Sequence, residues 1–190
     1  MSVICYLCRR MEKTDFTTER YVAEFDAGTY IKDFRKEEYF LGFCRQCGNY
    51  GSRYGCPPFN YDPLTKIGKY RNVRIVGVKI IPAEKDLPMS AARSLLKPVV
   101  LALNEEMLGV EAETGGYYFG FAGSCEYCGG EQCARKANLP CRHPDKVRPS
   151  LEAFGFDIGK TASDLLGIEL KWSKGDKLPE YLTLVCGLFY

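Results

Sequence analysis

Hydrophobic residues along the chain mark out a small number of elements. Residues 72–82, "NVRIVGVKIIP", are rich in Val and Ile and stop at Pro82, the pattern of a strand. Residues 20–27, "RYVAEFDA", alternate apolar and polar side chains and predict another. From Ser90 to Gly109 the period changes to that of a helix, with Ala92, Leu95, Leu96, Val99, Leu103 and Met107 on one core-facing stripe and Gly109 as its stop. Pro98 falls inside this pattern, so either the helix is kinked or its first turn begins near Ser94.

Beyond the helix, "GGYYFGFAG" (115–123) predicts a short aromatic strand. Residues 148–167 contain two short helical segments, the second over roughly 159–166. "IELKW" and "YLTLVCGLFY" predict two closing strands joined by the polar turn "SKGDKLP". Strands and helices follow one another without regular βα alternation, which predicts an α+β fold with a mixed sheet. The expectation is a single compact metal-binding domain over residues 1–190, with 72–82, the helix ending near 109 and 181–189 sharing its core. Cys186, in the apolar last strand, is expected to be an inert core thiol.

Two segments resist this periodicity, and both are rich in cysteine. Residues 37–63 hold three cysteines among glycines and prolines and read as an irregular loop. Residues 123–144, "GSCEYCGGEQCARKANLPCRHP", hold four. Nothing else in the composition competes with them. The net charge of +2 gives no electrostatic reason to expect nucleic acid or an anionic membrane as partner. There is no internal repeat and no apolar run long enough to span a bilayer. The start, with Arg9 and Arg10 after a short apolar stretch, lacks the layout of a secretory leader, so a cytoplasmic protein is expected. In a reducing compartment ten cysteines point to metal or redox chemistry; a secreted disulfide scaffold is the alternative.

The later run reads Cys125-x2-Cys128-x4-Cys133-x7-Cys141. A C-x2-C step turns both sulfurs to one side and lets backbone amides bond to them. Four thiolates together repel, each raising the pKa of the others, and a cation removes that cost. Structural zinc sites usually join two separated pairs, whereas close succession plus a trailing cysteine lies nearer to a ferredoxin run. The spacing therefore favours a [4Fe–4S] cluster, with zinc as the alternative. Gly123, Gly129 and Gly130 allow the backbone to wrap closely, and Arg135, Lys136 and Arg142 offset negative charge. His143, the sole histidine, is expected beside the site rather than as a ligand.

The earlier run, Cys44-x2-Cys47-x8-Cys56-Pro57-Pro58, offers three thiolates and needs a fourth donor. Candidates are Cys5, Cys8, a non-cysteine group, a substrate or a partner chain. Tyr50, Tyr54, Phe59 and Tyr61 either shield such a centre or simply fill core space. Glu126, Glu131, Arg135 and Arg142 are near enough in sequence to act on a substrate at an open iron, although loop charges are usually just solvated.

"CRQCGNYGSRYGCPPF" followed by "CEYCGGEQCARKANLPCRHPDKVRPSLEAFGFDI" resembles the prokaryotic family of predicted metal-binding proteins called domain of unknown function 2284. The likeness spans roughly residues 37–170 and includes Glu152, Ala153, Gly155 and Asp157. It implies Cys44, Cys47, Cys56, Cys125, Cys128, Cys133 and Cys141 as metal ligands. "GGEQ" lengthens the gap before Cys133 relative to the family pattern, and Cys5 and Cys8 lie outside the likeness. Three functions remain open: an iron–sulfur protein in electron transfer or serving a redox enzyme through a partner protein, a zinc-stabilised binding module, or an iron–sulfur enzyme with an open iron. The sequence has no nucleotide loop, nucleophile elbow or His-rich metal motif that would decide whether it is an enzyme.

Overall fold

The strand with the longest unbroken β pattern lies at the centre of the sheet. The computed structural model describes residues 12–13, 15–123, 125–128 and 132–190. Its strands are β1 (Glu12–Lys13), β2 (Phe16–Asp26), β3 (Asn72–Pro82), β4 (Tyr117–Phe119) and β5 (Leu182–Phe189), in the order β1-β2-β3-β5-β4. Its helices are α1 (Ala27–Phe34), α2 (Glu37–Gln46), α3 (Leu64–Ile67), α4 (Ala92–Thr114) and α5 (Ile158–Leu166). The α+β class is as the sequence predicts. Every ladder is antiparallel rather than mixed. The β3-α4-β4 passage does bring β4 parallel to β3, but β5 is inserted between them and pairs with both.

Both faces of β3 are covered. Val76, Val78 and Ile80 pack under α4 with Leu95, Leu103, Met107, Leu184, Cys186 and Leu188. Val73 and Ile75 face the other way, onto Tyr30 and Phe34 of α1, Ala162 and Leu165 of α5, and the segment Leu151, Phe154 and Phe156. Gly77 leaves room for this second layer: a Cβ there would stand 2.5 Å from Cδ1 of Leu166 and 2.9 Å from Cδ1 of Ile168. Tyr30 stacks on Phe156 at 4.8 Å between centroids, and its hydroxyl pairs with that of Thr161 at 3.0 Å.

Four elements differ from the sequence reading, each for a local reason. Residues 37–46 form α2 rather than loop; Glu37 and Glu38 suit the positive end of the helix and Arg45 its last turn. The long helix runs from Ala92 to Thr114, five residues past Gly109, and stops where Gly115 takes the left-handed φ of 65°. Pro98 lies inside it, so the Ser94 carbonyl has no amide four residues on. The strand expected over 115–123 keeps only 117–119. "IELKW" joins no ladder; Ile168 is buried against the sheet face while Glu169 is exposed, so its alternation reflects packing on a layer and not strand pairing.

One contact fixes α2 to the rest. The turn at 152–156 runs beneath its start: the Lys36 amide donates to the Gly155 carbonyl at 2.8 Å and the Arg35 Nε to the Phe154 carbonyl at 2.7 Å. Gly155 has φ 84°, and a Cβ there would lie 2.6 Å from the Glu37 Cα. Gly155→Ala should therefore cost about 2–4 kcal/mol, combining an unfavourable backbone region with a backbone clash. Gly109→Ala, in mid-helix with nothing within 4 Å of the new Cβ, should instead stabilise by about 0.5–1 kcal/mol. Chemical denaturation of the two variants checks both signs.

Candidate metal centre

The first cysteine loop begins inside a helix. Cys44 sits in the last turn of α2, and Cys47 caps it, its amide donating to the Cys44 carbonyl at 3.0 Å. The chain then satisfies its backbone through tight turns: Tyr50 to Cys47 at 3.0 Å, Ser52 to Asn49 at 3.1 Å, and Cys56 to Arg53 at 3.1 Å. Gly51 closes the loop on the Pro57 carbonyl at 2.8 Å. Phe59 stacks on Tyr61 at 5.2 Å, and both meet Phe154 edge-on. These two rings therefore anchor the loop to the core.

The second loop leaves the sheet at Gly120 and returns at Ser150, where the two residues form a parallel bridge. Its base is locked by Arg148, which holds Glu111 of α4 at 2.6 Å, while the same carboxylate accepts the Tyr118 amide at 2.8 Å. Cys133 precedes a short 3-10 turn, Ala134–Ala137, and Asn138, at φ 55°, redirects the chain toward Cys141. Two sulfurs accept backbone amides: Cys125 from Tyr127, and Cys141 from His143 at 3.4 Å. His143 thus serves Cys141 through its main chain, and its ring leans toward Tyr127 at 6.2 Å.

Arg135 ties the two loops together. From the 3-10 turn of the second loop, its Nη1 donates to the Arg53 and Cys56 carbonyls, both at 2.6 Å, and its Nη2 to the Pro58 carbonyl at 2.5 Å. Tyr54 answers from the first loop, donating its hydroxyl to the Leu139 carbonyl and offering its ring to the guanidinium at 5.9 Å. In the sheet, Val73, Phe189 and Tyr117 lie in one cross-strand row and Ile75, Gly187 and Phe119 two rows on, so β4 begins level with the start of β3 and leaves the sheet level with Ile75.

The structure sorts the seven loop cysteines into two electrostatic groups. Burial raises the pKa of Cys125, the Tyr127 amide opposes it, and Cys128, Cys141 and Cys133 raise it further. Cys56 is pushed up to about 11 by burial and then by Cys47 and Cys44, against the pull of Arg135 and Arg53. Cys44 is raised by burial, then by Cys47 and by Glu152. All seven are free thiols; Cys47 is exposed and the others half-buried. Among the described residues, no three Cys, His, Asp or Glu side chains already stand at metal-ligand spacing. Neutral thiols gain little by converging, whereas a metal that takes them as thiolates draws them in. The donor set, soft and half-buried with amides aimed at sulfur, suits a thiolate-bound metal.

A cavity of about 380 Å³ opens between the loops, with Cys56 and Cys125 in its lining. Arg53, Lys97 and Lys146 line it too, opposite an apolar wall that includes Leu96, Val100 and Phe121. Of the side chains singled out for substrate chemistry, Glu126 is paired with Arg93 at 2.8 Å and Arg142 donates to the Gln132 carbonyl at 3.2 Å. Arg135 is a strut between loops. Glu131 lies outside the described residues, as do Cys5, Cys8, Gly129 and Gly130.

An α+β protein with two joined cysteine loops presents many thiol donors outside its core. The chain is a member of the family of predicted metal-binding proteins DUF2284, which it matches over residues 30–189. No curated protein and no solved structure matches it.

Two outcomes are expected of this site. Arg135→Lys keeps the charge but loses the fork, so both it and Arg135→Met should destabilise the protein by about 1–3 kcal/mol in thermal unfolding. They should also expose the first loop to limited proteolysis. In metal-free protein at pH 8, exposed Cys47 should alkylate quickly. Cys186 is fully buried, with burial pushing its thiol up to about 12, and should stay unmodified until the chain unfolds. Peptide mass spectrometry after timed labelling reads both.

Proposed function

We propose that Cys125, Cys128, Cys133 and Cys141 hold a [4Fe–4S] cluster, and that the protein carries electrons or serves a redox enzyme through a partner protein. The observation that supports this most is the second loop itself. Four half-buried thiols fall within one loop, Cys128, Cys141 and Cys133 each act on Cys125, and backbone amides donate to two of the sulfurs. A cubane has four irons, each needing one protein ligand, and amide donors to sulfur tune its potential. When bound, the cluster supplies a one-electron carrier.

The residues around it have separable duties. Tyr127 and His143 hold sulfurs in place through their amides, and Arg148 and Glu111 keep the loop base closed. Lys136 and Arg142 offset the charge of four thiolates, while Arg135 is committed to the first loop's carbonyls. Cys44, Cys47 and Cys56 form a second metal site that needs one more donor. A zinc-stabilised module would use the same cysteines, since a closed four-cysteine site also suits zinc. The cavity favours one further reading, an iron–sulfur enzyme acting on a small anion: it is lined by a cysteine of each group and by Arg53, Lys97 and Lys146.

Anaerobic purification with iron and acid-labile sulfide analysis tests the proposal. The wild type should be brown, and Ala at any one of Cys125, Cys128, Cys133 or Cys141 should bleach that centre. A colourless wild type with about one zinc per four-cysteine site and no sulfide would give the place to the zinc module.

A further inference from the structure

The cavity between the loops has walls that are tied to one another. Helix α4, the first loop and both ends of the second loop all contribute to it. Gly55 and Gly120 lie against the same Arg148 carbonyl: a Cβ on Gly55 would stand 3.1 Å from that oxygen, and one on Gly120 3.7 Å. Arg148 is itself held by Glu111 of α4 at 2.6 Å. Walls joined in this way form the pocket before any ligand arrives, and about 380 Å³ suits a small organic molecule.

Its charges do not cancel. Among the described residues, Glu126 is the one carboxylate in the lining, and Arg93 neutralises it at 2.8 Å. Arg148 is neutralised by Glu111. Arg53, Lys97 and Lys146 remain, and among the described residues none of the three has a carboxylate partner. Asn104 lines the cavity too; its Oδ1 accepts the Tyr118 hydroxyl at 2.7 Å, so Nδ2 is what it has left to offer. The first turn of α4 brings Ala92 and Arg93 to the wall and carries no acidic residue, which adds the positive end of a helix. Much of the remaining lining is apolar, with Leu96, Val100, Phe121 and Leu184. A bare inorganic anion would leave that surface wet. A neutral apolar molecule would leave three cations unanswered.

We propose that the cavity binds an amphipathic organic anion, its carboxylate or phosphate head met by Arg53, Lys97 and Lys146 and its apolar body covered by Leu96, Val100 and Phe121. This deepens the reading of the cavity as a site for a small anion and rests on it. It does not depend on which metal the loops hold. Cys56 and Cys125 line the same space, so a ligand that fills it lies against both loops at once.

The test is isothermal titration calorimetry on the full chain, purified anaerobically, with phenylpropanoate, phenyl phosphate, the neutral phenylpropanol and inorganic phosphate. One or both of the aromatic anions should bind once per chain, at least about tenfold more tightly than the alcohol and than inorganic phosphate; which of the two binds identifies the head. The Lys97→Met/Lys146→Met double variant should weaken that anion at least about fivefold and leave the alcohol unchanged. Lys97→Arg/Lys146→Arg, which keeps both charges, should bind within about twofold of wild type, and this separates lost charge from a disturbed fold. Lys32→Met, on α1 across the sheet, should change nothing. An alcohol that binds as tightly as the anions overturns the proposal, and so does an anion whose affinity the Met double variant leaves intact. If inorganic phosphate alone binds, the amphipathic class falls and the small-anion reading stands. If none of the four binds, both fall.

Discussion

One guanidinium holds the cysteine loops together. Neither loop is built from long regular elements, and each carries half-buried thiols that would rather stay apart. Arg135 spans from one to the other and donates to three carbonyls in succession, at positions 53, 56 and 58. Charge-assisted bonds to backbone carbonyls are among the stronger contacts a loop can make. Because the acceptors bracket Cys56, the placement of that sulfur depends on a residue about eighty positions later. Tyr54 returns the favour at Leu139, so the joint is made from both sides.

The sheet makes that joint possible. β3 is buried on both faces, and its pairing with β5 sets the start of β4 level with the start of β3. The first loop precedes β3, and β4 is only three residues long, so the second loop leaves the sheet within two rows of that level. The 152–156 turn then holds α2 down at its other end, through Gly155 and the carbonyls of Phe154 and Gly155. Helix, turn and loops form one supporting shell around the thiols.

The strands and the long helix were legible because their burial follows a simple period: residues 72–82 match β3 at both ends. The cysteine groupings were legible too, since spacing within a loop limits which sulfurs can meet. Helix α2 was not, because glycine and cysteine in "EEYFLGFCRQ" read as loop, while its packing on the 152–156 turn is a tertiary effect. "IELKW" misled for the converse reason, a strand-like alternation produced by lying on a layer. Arg135 read as a charge near the cluster, and its carbonyl acceptors are distant in sequence. Local pattern located the donors, and long-range packing decided their neighbours.

Whether the second loop wraps the proposed iron–sulfur cluster or a lone zinc ion is read by X-ray absorption at the iron and zinc edges of anaerobically isolated protein. A cluster gives an iron edge whose first shell is sulfur and whose second shell is iron, with the signal lost when Cys125 and Cys128 are both replaced by Ala. A zinc edge with four sulfur neighbours, lost in the same variant, and no iron–iron shell would contradict it.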